Sequence, residues 1–388
     1  MADANRTNLR YDVEATWGVI TETPKFIETR FTSESFKGTK STETSNEIRD
    51  DRQVPDVIRT GKGASGDLGF ELSYASYDDF LLALLQAASW SAVKTNTDTT
   101  YSAAAVDNSF NDSSSQFLID GFVANQWIEV RGFTGASTTA NGYFKIVSVV
   151  AGKMVVSGGT LIDDAAGESV TITMGAQITN ATTETSITFE REQEDVSNTF
   201  SNFTGMEPTS LSLNIPTSGV ITGTFSFMGE EESATAATVG DGAPTAANTN
   251  QVMSSANHVV NALVDQAAAS VVSGSIEISN AMRDTRKVGT LAPAEIGQGR
   301  FQASVNLVLV FSGNTNKSKV LAHTDFSTAI IFEDTAGNAY IIDFPACAST
   351  GEDSNATGVD TDIDETLSLE AKMHASEAIT CRIARFAA

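Results

Sequence analysis

The sequence predicts a mainly β protein: a duplicated β-sandwich or barrel unit, each copy flanked by a helix, with a small β domain inserted in the first copy. The first observation is a repeat. Ser45-Asn46-Glu47-Ile48-Arg49-Asp50-Asp51-Arg52-Gln53-Val54 returns as Ser279-Asn280-Ala281-Met282-Arg283-Asp284-Thr285-Arg286-Lys287-Val288, with six of ten positions identical. Every member of Ser-Asn-x-x-Arg-Asp-x-Arg-x-Val recurs in register, which shared strand composition does not explain. Two copies imply a duplicated domain, where an array would imply a solenoid. The second observation lies just downstream of each copy. Gly61, Gly63 and Gly66 precede the alternating run Leu68, Phe70, Leu72, Tyr74; Gly297 and Gly299 precede Phe301, Ala303, Val305, Leu307, Leu309. Period-two alternation is the mark of a strand with one buried face. The third is a change of texture over 91–180, where short β runs replace long ones.

Taken in order, 1–27 reads as an arm with a first turn at Pro24. Strands are expected over 28–36 and 45–59, with a hairpin turn at 61–66 and a strand over 66–75. Residues 77–88 are rich in helix formers. Ser76 is a suitable N-cap, Asp78 and Asp79 suit the positive end of the helix dipole, and Phe80, Leu81, Leu84 and Leu85 make one apolar stripe. Within 91–180 the runs 116–119, 127–133, 143–150, 153–157 and 169–173 are separated by turn signals, as in a small barrel or sandwich. Long strands resume over 185–192, 209–215 and 220–228, the last two joined through Pro216-Thr217-Ser218-Gly219. The stretch 230–252 has almost nothing to bury and reads as a linker. The second copy then opens with a short helix over 257–266. Strands near 270–279 and 299–311 come next, then a short helix over 314–322. Strands over 328–333, 339–344, 362–373 and 378–386 complete it. The expected units are therefore 1–90 plus 181–229, the insert 91–180, the linker 230–252 and 253–388.

The formal charge of −25 argues against a protein that grips nucleic acid, which needs a basic footprint, and favours repulsion of other polyanions. Met1 to Tyr11 has no apolar core of an export signal, and no apolar run is long enough for a membrane helix. Cys347 and Cys381 read as buried free thiols, and His258, His323 and His374 share no ligand spacing. The segment 61–66 is superficially like a phosphate loop but lacks its spacing. The acidic run 360–365 fails as a calcium loop, with Glu365 where glycine is needed and Ala371 where glutamate is needed. No serine sits in a Gly-x-Ser-x-Gly elbow. The chain is read as no enzyme, with no cofactor and no metal.

Several stretches carry a family resemblance. These are Asn5 to Tyr11, Glu47 to Val54, Gly66 to Tyr74, Gly223 to Gly229, Gly299-Arg300-Phe301 and Asp334 to Tyr340. In order and spacing the chain resembles the tail tube proteins of long-tailed, non-contractile bacteriophages. The resemblance implies a structural virion protein of the tail, assembled in the host cytoplasm. It implies rings of self-associated subunits that stack into a hollow tube, through which DNA passes without specific binding. The partners it implies are the tail terminator and the tail-tip and tape-measure proteins. A tube of a contractile injection or secretion apparatus, or a secreted β-rich adhesin, are the competing classes; the adhesin would need an export signal.

Simple tubes of this family carry one tube fold per chain in six-fold rings, so two copies per chain imply three chains with pseudo-six-fold symmetry. The competing expectation is six chains, each pair of copies forming one larger fold. Arg49, Asp50, Arg52, Arg283, Asp284 and Arg286 are the assembly-interface candidates, expected to form charge pairs between subunits or rings, with pairing inside one chain as the competing expectation. The arm and the loop 36–66 are expected to reach between rings. The strands 66–75, 220–228, 299–311 and 366–373 are expected to line an acidic bore. The insert is expected outside the tube and dispensable for polymerisation.

Overall fold

The computed structural model describes residues 3–134, 139–355, 358–359 and 362–388. The chain opens with β1 (Thr7–Val13), β2 (Ile27–Glu28), β3 (Ser33–Glu34), β4 (Lys37–Thr44), β5 (Val57–Glu71) and α1 (Asp78–Leu84). A separate seven-stranded sheet comes next, made of β6 (Lys94–Asp98), β7 (Tyr101–Ala104), β8 (Ser109–Asp112), β9 (Trp127–Arg131), β10 (Gly142–Val150), β11 (Lys153–Ser157) and β12 (Val170–Met174). Then come β13 (Ala176–Thr179), β14 (Ile187–Gln193), β15 (Phe200–Ile215), β16 (Thr222–Gly229) and β17 (Glu231–Thr235). The remainder is α2 (Ser255–His258), β18 (Val259–Val264), β19 (Ala267–Ala268), β20 (Val271–Ser279), β21 (Arg283–Thr285), β22 (Glu295–Gly297), β23 (Gln302–Val310), α3 (Thr315–Leu321), β24 (Phe326–Glu333), β25 (Ala339–Asp353), β26 (Asp364–Ala371) and β27 (Arg382–Phe386). The protein is mainly β, as the alternation predicts.

One antiparallel pairing scheme occurs twice. In the first set the order is β1-β14-β15-β16-β5-β4, with β2 on β1 and β17 on β15. In the second it is β18-β24-β25-β26-β23-β20, with β19 on β18 and β27 on β25. Even the irregularities agree: the register shifts between Pro208 and Ser210 on β15, and between Ser349 and Gly351 on β25. The two sets join where β15 pairs antiparallel with β20, from Ser210 opposite Ser279 to Ile215 opposite Gly274. One sheet thus runs through both and bends into half a barrel.

The alternating residues explain the layering. Leu68 and Phe70 on β5, Leu211 and Leu213 on β15 and Phe225 and Phe227 on β16 turn to one face; so do Ile276 and Ile278 on β20, Val305 and Leu307 on β23 and Leu367 and Leu369 on β26. Burying each contributes roughly 1.5–3 kcal/mol. They belong to a single core that spans both sets. Phe36, Phe70, Phe80, Phe189, Phe225 and Phe227 make its first half aromatic, in tilted, stacked and edge-on contacts. Helix α1 lies in this core with Phe80, Leu81, Ala83 and Leu84 buried, whereas α3 buries no residue.

Several local expectations fail for physical reasons. The glycines at 61–66 do not turn; they lie within β5. A side chain at Gly66 would meet the Phe36 backbone at 2.5 Å, and one at Gly63 would meet Thr39. They permit close approach of neighbouring strands, which is the other use of glycine in a sheet. The turn lies instead at 45–56, between β4 and β5, where a strand is expected. Helix α1 ends at Leu84, four residues early, because Gln86 takes a left-handed φ of 52°. Tyr77, not Ser76, occupies its N-cap. Residues 257–266 are one helical turn and then β18, and 116–119 form turns. The stretch 230–252 is ordered: β17 pairs with β15, and Thr238, Thr245 and Asn250 hydrogen-bond to Glu190, to Phe26 and Glu28, and to Tyr74.

Candidate assembly interface

The face of the large sheet opposite the core is polar. On β5 over 65–71, β15 over 210–215, β16, β20, β23 and β26, the residues that alternate with the core are mostly Ser, Thr, Asn and acids. The ionisable ones are Asp67, Glu71, Glu277, Asp364 and Glu370; among the described residues of these segments no lysine or arginine turns to that side. Over β20, β23 and β26 the face hollows into a cleft lined by Glu277, Gln302, Ser304, Asn306 and Glu370. The four strands expected to line a bore all contribute to this one face; β15 and β20 belong to it as well.

Among the described residues, two edges in the main order of these strands make no pairing with a further strand, although the Gly38 amide on β4 donates to the Glu232 carboxylate at 2.6 Å. At one end is β4, which pairs only with β5 and is exposed at all eight residues. At the other is the end of β25, Gly351–Asp353, which pairs only with β26. An unpaired edge presents free N–H and C=O groups to any complementary strand.

The repeated Arg-Asp-x-Arg residues occupy corresponding connections, at the tip of the β4–β5 hairpin and between β20 and β23, where Arg283 and Asp284 lie on the short strand β21. All six candidates are exposed. Arg49 forks onto Asp51 at 3.0 and 2.8 Å, and this guanidinium holds the Asp51 carboxyl below its usual range. Arg52 has a left-handed φ of 58°, and the side chains of Asp50 and Arg52 make no hydrogen bond or ion pair among the described residues. In the second loop Arg286 pairs with Asp284 at 2.7 Å, and Arg283 donates to the Gln298 carbonyl. Arg286 also reaches the Lys62 carbonyl on β5 at 3.5 Å, while the Lys62 amide donates to Leu291. The second loop is therefore laid against the first set of strands. No hydrogen bond or ion pair joins the two triplets among the described residues.

Sequence reasoning missed how the seven-stranded sheet is held. Trp127 and Tyr143 pack with Ile331, Ile341, Ala384 and Phe386. Beside them Lys145 and Arg382 each bridge Asp343 and Glu377 at 2.7–3.0 Å, and the Trp127 indole donates to Asp343. Burial alone would raise the Glu377 carboxyl, but Lys145 and Arg382 outweigh it and hold it low. β13 then pairs with β27, so the chain leaving the insert first joins the second set of strands. The partners lie about 200 residues apart, which hides them from any local pattern.

The family model for phage tail tube protein matches residues 4–371, nearly the whole chain. The chain belongs to the phage tail tube protein family. It is a structural protein of the virion tail, and membership carries self-assembly into a tube and association with other tail proteins. No curated protein matches the sequence. No helix among the described residues is long and apolar enough to cross a membrane, and no group of three or more His, Cys, Asp or Glu is placed to hold a metal ion.

Proposed function

We propose that this tail tube protein polymerises into stacked rings whose bore conducts phage DNA to the host, with assembly in the host cytoplasm and contacts to the tail terminator and the tail-tip and tape-measure proteins. The observation that carries the reading is the half-barrel sheet with an acidic open face and two unpaired edges. An acidic wall repels the phosphate backbone, so DNA slides without sticking. The recurring pairing scheme supports two tube units, 1–90 with 181–229 and 253–388, connected through 230–252, and an insert at 91–180 on the outside. Three chains then supply six units to a pseudo-six-fold ring.

The single core shared by both sets of strands favours a second reading, in which the pair is one larger unit and six chains make a ring. Electron microscopy of the purified protein tests the proposal: tubes or stacked rings are expected, and monomers at high concentration overturn it. The mass of a released ring separates the readings, three copies of the 40.9 kDa chain against six. Arg49, Asp50 and Arg52, with Arg283, Asp284 and Arg286, are proposed to form the charged contacts between subunits or rings.

A further inference from the structure

We infer that the seam between neighbouring chains copies the seam inside one chain: the end of β25 pairs antiparallel with β4 of the next chain, Asp353 opposite Lys37. This rests on the tube reading. The recurring scheme makes β25 the counterpart of β15 and β4 the counterpart of β20, because each pair holds the same place in its set. Within the chain those two counterparts are bonded, β15 to β20. The remaining two, β25 and β4, pair with no further strand among the described residues; the Glu232 carboxylate that accepts from the Gly38 amide swings aside when the seam forms. Matching the register shifts sets Ser210 with Gly351. Matching the pairs Gly38–Ala64 and Ile278–Ala303 through β5 and β23 sets Ser279 with Thr39. The internal pairs Ser210–Ser279, Leu211–Ile278 and Ser212–Glu277 then become Gly351–Thr39, Glu352–Gly38 and Asp353–Lys37 across chains.

The chemistry of the edges agrees with this register. Lys37 is the basic residue that β4 adds to the otherwise acidic open face, and the pairing places Asp353 directly opposite it. On the core side, the Glu352 side chain is 4% exposed, with Lys317 at 3.5 Å, yet its Oε1 has no hydrogen-bond partner among the described residues. Lys40 of the next chain falls diagonal to it on the same face, within reach of a long side chain. Helix α3 gives the same indication. Its counterpart α1 is buried partly by the second set of strands, where Asn280 donates to the Leu84 carbonyl and Tyr340 and Arg385 bind Asp78. Leu321, at the matching end of α3, is 81% exposed, and the proposed seam would bring the next chain over it in the same way.

Lys37→Cys with Asp353→Cys in one chain tests the register. The native thiols Cys347 and Cys381 are buried and free, so they stay silent. Under mild oxidation of assembled tubes, a non-reducing gel should show a ladder of covalent multimers ending at the ring, and neither single variant should give one. Wild-type tubes together with double-cysteine tubes that do not cross-link overturn the seam and leave the tube reading intact. Wild-type protein that forms no tube overturns both. If the cysteine pair itself blocks assembly, the charge swap decides. Lys37→Glu and Asp353→Lys should each abolish tubes and the double swap should restore them; a double swap as inert as the singles overturns the pairing.

Discussion

Glu207 sits on β15 with 2% of its surface exposed, and its carboxyl is pushed up to about 8, first by burial and then by Glu184. The folded protein therefore keeps this proton at neutral pH, while the unfolded chain releases it near the ordinary carboxylate value. Stability from this group is complete below that value and falls as pH rises, by about 1.4 kcal/mol per pH unit, until the folded carboxyl also ionises near 8. Glu207→Gln should flatten the decline. Unfolding free energies of the two proteins from urea titrations should diverge between about pH 5 and 8 by an amount on the order of a few kcal/mol; parallel values would show that Glu207 is ionised in the fold. The exposed arginines make the opposite case. Each surface pair contributes only about 0–1 kcal/mol, so Arg49→Glu with Arg283→Glu should leave the monomer folded. The same change repeated around every ring should stop assembly. Normal tube length in that double variant, by electron microscopy, would remove these loops from the interface.

At the scale of elements, the seven-stranded sheet is fastened by an apolar patch and a buried charge cluster, and among the described residues no strand pairing joins it to β4 or to the end of β25. Replacing 94–174 with a short Gly/Ser loop exposes Ile331, Ile341 and Phe386, and leaves Arg382 alone with Asp343 and Glu377. The melting temperature should fall by several degrees while tubes still form. A folded deletion that makes no rings would give the insert a structural part in assembly. These elements also differ in how legible they are in the sequence. β16, β23 and β26 are legible because Phe, Leu and Val alternate against one core. β6, β7 and β8 are not, because Thr, Ser and Asn fill their outward positions and resemble loop. β5 reads as a turn and then a strand because composition does not distinguish a glycine that bends the chain from one that admits Phe36. The Arg-Asp-x-Arg repeat lies between β4 and β5 and again between β20 and β23, with Arg283 and Asp284 on β21. Its local pairs, Arg49 with Asp51 and Arg286 with Asp284, and the free edges beside it depend on geometry that spacing does not carry.

For the whole molecule, the shared core, the β15–β20 seam and the β13–β27 crossing tie the two sets of strands into one body. Scanning calorimetry of the monomer should therefore give one main transition for both, with equal calorimetric and van't Hoff enthalpies. Two well-separated transitions would mean that the halves fold independently. The ordered stretch 230–252 has a further consequence for assembly. If the chains close into the proposed rings, the first seam forms inside the chain, where the two edges face each other at an effective concentration set by a fixed connector and not by diffusion. It incurs no loss of translational freedom, a term of roughly 4–15 kcal/mol whenever separate molecules associate. On the three-chain reading, a ring needs two encounters between molecules where six single-unit chains would need five. Gene duplication would then have acted as a nucleation device, lowering the protein concentration at which the first ring can close.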